Sequence, residues 1–372
     1  MTTEQIYGIV NSVNDQAFGA ESLTVVDTSS LISLGDTVLS SSTNTEAFLN
    51  TLAQRIGRTI LSFREYRNKL GDMVLNDFEY GAILQKIKVV MPEAEADDMY
   101  ELTNGESVDM YKVSKPEVKQ KLFVTRTPYQ FKITIQRETL KEAFLGEIEM
   151  GAFIGVVFGE VRNAIEVSLE NLSRVTLATA ICECAYDGGH REVPLVSWYN
   201  DEFSKSLTAQ TALTDPDFLR FAIREINTKI DSFQDMNELY NDGTVKRFTP
   251  KEDMRIRIIS PFVRALETQV EYAAFHDEFV KIDGAYSVLN YWQSAESPYD
   301  AKIVIPSIDD EVTASNVVCL LADRDAMGIY QIEEEVGTSP LNVAGMYYNT
   351  FWHSRQLRFL DKSEQFICFT LN

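Results

Sequence analysis

The most constraining feature of this 372-residue chain is the stretch 149–186, EMGAFIGVVFGEVRNAIEVSLENLSRVTLATAICECAY. Ile154, Phe158, Val161, Ile165, Leu169 and Leu172 recur at steps of three and four, which puts them on one stripe of a helix. Glu160, Asn163, Glu166, Glu170 and Arg174 fall on the far side, and Asp187-Gly188-Gly189 supplies a stop. At ~1.5 Å per residue such a rod is roughly 50 Å long, far beyond the ~11–12 residues of an ordinary helix. Either one continuous spine spans the stretch, or two shorter helices meet at a kink near Gly155 or Gly159. In both cases the other elements are expected to lie against it.

Charge narrows the function classes. The 56 acidic residues against 34 basic ones leave a net charge of -22, which disfavours sequence-specific nucleic-acid binding through phosphates. No apolar run approaches the ~18–20 residues of a membrane span, and the N-terminus lacks the basic and apolar regions of a secretory signal. The four cysteines, Cys182, Cys184, Cys319 and Cys368, are scattered, which reads as inert buried thiols. Cys182-x-Cys184 with His190 nearby makes a metal site conceivable there.

Along the chain, residues 1–45 are rich in Ser, Thr, Asn and Asp but carry Leu23, Val25, Val26, Leu31, Ile32, Val38 and Leu39. They read as an arm that wraps its own body or a neighbouring subunit, with disorder as the alternative. Residues 46–60 read as a helix on Phe48, Leu52 and Ile56. Residues 61–131 then gather basic Arg64, Arg67 and Lys69, an alternating ILQKIKVV, and an acidic tract containing Glu95, Asp97 and Asp98. A basic block with Lys119 and Lys121 follows, so a protruding hairpin could pair with a complementary surface on another copy. Phe131, Ile133 and Ile135 mark a strand, and RETLKEAFL a short helix. Asp215-Pro216 opens a helix to about 237 as cap and first residue. Strands are expected at 254–260, 301–305, 317–321, 328–332, 346–360 and 365–371, with a helix from Pro261 to about 279. Elements neither alternate strictly nor segregate, which favours α+β with a mixed sheet.

Motifs for phosphate cradles, dinucleotide binding, zinc proteases and serine hydrolases are absent, and no cofactor is expected. Of the three histidines, His353 in YYNTFWHSR reads as a strand residue. Glu333-Glu334-Glu335 reads as a solvated run, because consecutive strand residues point to opposite faces. Asp309-Asp310-Glu311 and Asp323-Arg324-Asp325 offer oxygens to a cation without a calcium-loop spacing. No catalytic or metal site is assigned, and the chain reads as a non-enzyme.

The order arm, helix, charged excursion, KITIQRETLKEAFL, spine, mixed domain and returning strands resembles the major capsid proteins of tailed phages with the Hong Kong 97-type fold. The nearest resemblance is to small short-tailed phages with elongated heads and protein-primed DNA, through EAFLNTLAQRIGRTI, PEVKQKLFVTRTPYQFKITIQRETLKEAF, LADRDAMGIYQ and YYNTFWHSRQLRFL. The resemblance implies an N-terminal arm at 1–45, a helix of the peripheral domain at 46–60 and an extended β-hairpin loop at 61–131. It further implies a peripheral domain with the spine helix at 132–192, an axial domain at 193–335 and returning peripheral strands at 336–372. By the same resemblance the chain would self-assemble into pentamers and hexamers of an icosahedral or prolate shell around double-stranded DNA. A scaffolding protein and a portal would be its partners, and assembly in the host cytoplasm would deliver it to the virion. Some relatives carry an added immunoglobulin-like domain after the C-terminal strands; this sequence reaches Asn372 without one, and a separate scaffold is expected. A wall with net charge -22 would not bind packaged DNA tightly. Arg64, Arg67, Lys69, Glu95, Asp97, Asp98, Lys119 and Lys121 are the residues expected at contacts between subunits. Two rivals stand: an encapsulin-type compartment shell, and a metal-dependent hydrolase built on Asp323, Asp325 or the glutamate run.

Overall fold

A computed structural model describes residues 3–19, 23–56, 66–75, 84–92, 103–105, 111, 113, 115–124, 126–155, 159–268, 282–305 and 308–372. The chain begins with helices α1 (Thr3–Phe18), α2 (Thr28–Leu39) and α3 (Ser42–Ile56). Strands β1 (Val74–Leu75), β2 (Leu84–Val89), β3 (Val118–Phe123) and β4 (Arg126–Gln136) follow, then helices α4 (Arg137–Ala143), α5 (Glu147–Phe153) and α6 (Gly159–Asp187). Next come β5 (Glu192–Pro194), α7 (Leu195–Phe203), α8 (Ala209–Ala212), α9 (Pro216–Phe233), β6 (Met254–Ile259) and α10 (Ser260–Leu266). The chain closes with β7 (Tyr286–Leu289), β8 (Ala301–Ile305), β9 (Asp310–Ala314), β10 (Val317–Asp323), β11 (Met327–Thr338), β12 (Tyr347–Leu360) and β13 (Phe366–Thr370). Two compact units result: one of 1–81, 125–173 and 329–358, the other of 82–124, 174–328 and 359–372.

In the first unit the expected arm is helical. Ile6, Val10 and Val13 form a buried stripe on α1, and Leu31, Leu34 and Val38 one on α2. Both stripes join Phe48, Leu49 and Leu52 of α3, and Phe144, Met150 and Phe153, in one core. The Ser- and Thr-rich composition suggested an arm because those residues compete with helix interiors; here some cap α2, while the Ser33 and Thr37 hydroxyls donate to the carbonyls four residues back within it. Asp27 caps α2 by accepting from Ser30 N at 2.8 Å, and Ser30 Oγ accepts in turn from Asp27 N at 3.0 Å. Gly35 lies so close to Phe144 that a Cβ there would sit 2.6 Å from the Phe144 Cβ. The sheet of this unit runs β1-β11-β12-β4. Its β4–β12 pair is antiparallel over Arg126↔Leu357 to Gln136↔Tyr347. Phe131, Ile133 and Ile135 turn inward as the alternation demanded.

On the spine stretch, α5 runs to Phe153 with a wider turn at 154–155, and α6 runs from Gly159; 156–158, where the choice between one rod and a kink falls, lie outside the described residues. The one-sided stripe fails partway. Glu170 and Arg174, expected on the wet side, are each 4% exposed. Glu170 accepts from the Tyr66 hydroxyl, while Arg174 donates to the Tyr291 carbonyl and stacks 3.9 Å from that ring. Past Ser173 nearly every position to Cys184 is buried, so periodicity could not report a helix covered on all sides.

The second unit holds a five-stranded mixed sheet, β5-β13-β10-β6-β7. β10 pairs antiparallel with β13 and β6, whereas β5 and β7 pair parallel with their neighbours. β13 thus lies inside this sheet rather than with β12 in the other. Its run FICFT is buried at every position, which suits a strand covered on both faces. Helix α9 starts as expected, with Asp215 Oδ1 accepting from Asp217 N at 2.9 Å and Phe218 N at 3.3 Å. Of the helix expected at 261–279, the part after 268 lies outside the described residues.

Candidate functional site: a charged and an apolar face on one hairpin

The hairpin β2–β3 pairs Leu84↔Phe123, Gln85↔Leu122, Lys86↔Lys121, Ile87↔Gln120, Lys88↔Lys119 and Val89↔Val118. Alternation sorts these side chains onto two faces. One carries Lys86, Lys88, Lys119 and Lys121 between Leu84 and Phe123; the other carries Gln85, Ile87, Val89, Val118, Gln120 and Leu122. On the first face lysines stand directly opposite lysines twice, an arrangement that repels unless an anion intervenes.

The anion is Asp361, at the corner between β12 and β13, with its side chain 0% exposed. Lys88 Nζ lies 2.8 Å from Asp361 Oδ2, Lys121 Nζ 3.1 Å from Oδ1 and Lys86 Nζ 3.5 Å from Oδ2. Glu364 adds a second carboxylate, 2.9 Å from Lys88 and 3.5 Å from Arg247 Nε. Ser363 donates to Asp361 Oδ1 from its Oγ at 2.7 Å and its N at 3.2 Å. Lys86 also donates to the Asp325 carbonyl, and Lys119 to the Thr244 carbonyl at 2.8 Å. Burial alone would raise the Asp361 carboxyl; hydrogen bonds from Lys88 and Ser363 and the charges of Lys88 and Lys121 overcome it and hold the group well below the usual carboxylate range. Phe123 and Phe359, ring centroids 5.7 Å apart, close one side of the cluster.

The other hairpin face is largely exposed. Ile87 is 61% exposed, Val89 58%, Val118 54% and Leu122 52%, and no ionisable side chain interrupts them. Four β-sheet apolar side chains held out together form a patch of the kind that marks interaction sites.

Of the residues expected at subunit contacts, Lys119 and Lys121 engage groups of their own chain as described. Arg67 and Lys69 are exposed on the segment before β1. Their neighbours Tyr66 and Asn68 tie that segment to α6, through Asn163 at 3.1 Å and Glu166 at 3.4 Å. Arg64, Glu95, Asp97 and Asp98 lie outside the described residues. The sequence reading missed Lys86, Lys88, Asp361 and Glu364, although KIK in one strand facing KQK in the other was the available signal.

The sites of the rival chemistries have structural partners instead. Cys182 Sγ lies 3.3 Å from the Ala301 carbonyl and 3.4 Å from that of Val312, and burial pushes its thiol up to about 11. His190 is exposed, and among the described residues no group of three His, Cys, Asp or Glu is placed to hold a metal ion. Asp323 accepts from Thr249 Oγ1 at 2.8 Å and from Asp325 N at 2.7 Å, at the edge of a cavity of about 240 Å³. Burial raises its carboxyl. His353 is exposed on β12 beside Phe351.

Comparison with solved structures gives the class. A chain from the capsid structure of Staphylococcus phage Andhra superposes with a TM-score of 0.54 at 10% identity, over 84% of this chain and 87% of that one. A chain from the structure of the head fiber and inner core protein gp22 of native bacteriophage P68 does so at 0.55 and 12%, over the same shares. The fold is therefore the Hong Kong 97-type fold of phage capsids. The major capsid protein of Bacillus phage GA-1 is 24% identical over 162 residues, 43% of this chain and 34% of that protein, so the match spans about a third of the relative's length. The model of the Phi29-like phage major capsid proteins matches residues 9–370, and the chain belongs to that family.

Proposed function

We propose that this protein is the shell subunit of a phage head, self-assembling into pentamers and hexamers of an icosahedral or prolate capsid around double-stranded DNA. The observation that carries the reading, beyond family membership, is the uncharged outward face of Ile87, Val89, Val118 and Leu122. Copies with a net charge of -22 repel one another, and a neutral apolar face lets them meet with least electrostatic cost. The reading replaces Lys119 and Lys121 with this face as the hairpin's contact to the next copy, and keeps Arg64, Arg67, Lys69, Glu95, Asp97 and Asp98 as further contact candidates. A scaffolding protein and a portal act in assembly, which takes place in the host cytoplasm. The first unit corresponds to a peripheral domain and the sheet of the second to an axial one, with no catalytic step assigned to either. Cryo-electron microscopy of the purified chain, expressed with and without its genomic neighbours, tests this. Closed shells or capsomer rings are expected; a monodisperse monomer under every condition would overturn the assignment.

A further inference from the structure

The geometry points to a latch: Asp361 clasps both strands of the β2–β3 hairpin onto their own chain, and loss of its charge releases the hairpin while leaving the five-stranded sheet in place. The clasp is a two-sided one. Oδ2 faces Lys88 of β2 and Oδ1 faces Lys121 of β3, so a single carboxylate ties the strands to each other as well as to the β12–β13 corner. The hairpin needs such a tie. It is a two-stranded sheet, a structure marginal in water by itself, and it sets Lys86 against Lys121 and Lys88 against Lys119. Its opposite face offers no compensating burial, since the apolar side chains there are more than half exposed.

The charge balance sharpens the dependence. Among the described residues, Lys86, Lys88, Lys121 and Arg247 face two carboxylates, Asp361 and Glu364. Without Asp361 one carboxylate is left among these cations, and repulsion between the lysines pushes the hairpin off. The anchor itself stays, because Asp361 N donates to the Ala326 carbonyl at 2.7 Å through the backbone and β13 is held by its own strand pairs. The latch therefore gives the hairpin two settings, one fixed on its own chain and one loose. It acts in the isolated chain and is independent of whether shells form.

Hydrogen exchange by mass spectrometry on the unassembled full-length protein tests it, comparing wild type with Asp361→Asn and Lys121→Gln. In Asp361→Asn the amides of 84–89 and 118–123 are expected to exchange at least roughly tenfold faster, the order set by losing one charge-assisted hydrogen bond. Lys121→Gln, which leaves Lys88 on Asp361, is expected to give a smaller increase of about threefold in the same amides. The amides of 366–370 stay within about twofold of wild type in Lys121→Gln. Hairpin amides unchanged in both variants would overturn the latch. So would an Asp361→Asn variant that accelerates 366–370 in step with the hairpin while Lys121→Gln changes nothing, since Asp361 would then be only a prop of the corner.

Discussion

Replacing Ile87 by Asp separates folding from assembly and gives the sharpest test of the hairpin's outward face. Ile87 is 61% exposed and the three side chains beside it are all more than half exposed. Covering the exposed half of an aliphatic side chain is worth about 1 kcal/mol, so the four together contribute about 4 kcal/mol to a contact that buries them. Ile87→Asp forfeits about 1 kcal/mol of that and adds the desolvation of an unpaired carboxylate, about 2 kcal/mol more. The total of about 3 kcal/mol corresponds to roughly 100-fold in a pairwise association constant, compounded at every subunit of a closed shell. In the isolated chain the position is open, so stability is expected to change by no more than about 0.5 kcal/mol. Thermal melting of the unassembled protein and sedimentation or light scattering across a concentration series read the two effects. A variant that melts like wild type but assembles only at far higher concentration is the expected result. Shells forming at the wild-type threshold would refute the reasoning that this face is an interface.

Other substitutions probe the rest of the molecule. Gly35→Ala forces a methyl against Phe144 and is expected to lower stability by about 1–3 kcal/mol, read by denaturant unfolding; an unchanged midpoint would refute the close packing of α2. Asp215→Ala removes the α9 cap and is expected to cost about 1 kcal/mol, whereas Asp215→Asn retains most of it. Asp361 has a folded-state pKa below its unfolded value, so its contribution is present above the ordinary carboxylate pKa and is lost as pH falls below that value toward the folded one. The stability gap between wild type and Asp361→Asn is therefore expected to be constant from pH 7 to about 5 and to shrink below about pH 4; a gap independent of pH would refute the ion cluster. The thiols of Cys182 and Cys319, raised by burial, are expected to resist a thiol reagent at pH 8 in the native protein and to react on unfolding.

What could be read from the residues follows from how local each signal is. The alternation of Phe131, Ile133 and Ile135 and the Asp215-Pro216 start each need only a few neighbours, and both stand in the structure. The helices at 3–18 and 28–39 escaped notice because their stripes are short and their polar residues are the types that also fill loops. For Glu170 and Arg174 helical phase predicted exposure, yet burial was decided by Tyr66 and Tyr291, more than 100 residues away in each case. The intrachain partners of the candidate site were hidden in the same way. Lys119 and Lys121 stood out as charged, but their partners Thr244 and Asp361 are distant in sequence, and no spacing rule links them. The apolar half of the hairpin was visible as ILQKIKVV, and only the register with β3 shows which half is left open.

The separation between Lys121 and Asp361, 240 residues, also sets a clock. A ribosome adding ~5–20 residues per second needs roughly 10–50 s to travel that far, so every nascent chain carries its hairpin strands long before their carboxylate exists. During that interval neither Asp361 nor Glu364 stands among the lysines of the two strands. A chain still being made therefore lacks the carboxylate that faces Lys88 and Lys121 in the folded protein. The order of residues along the polymer thus delays the moment at which this ion cluster can close.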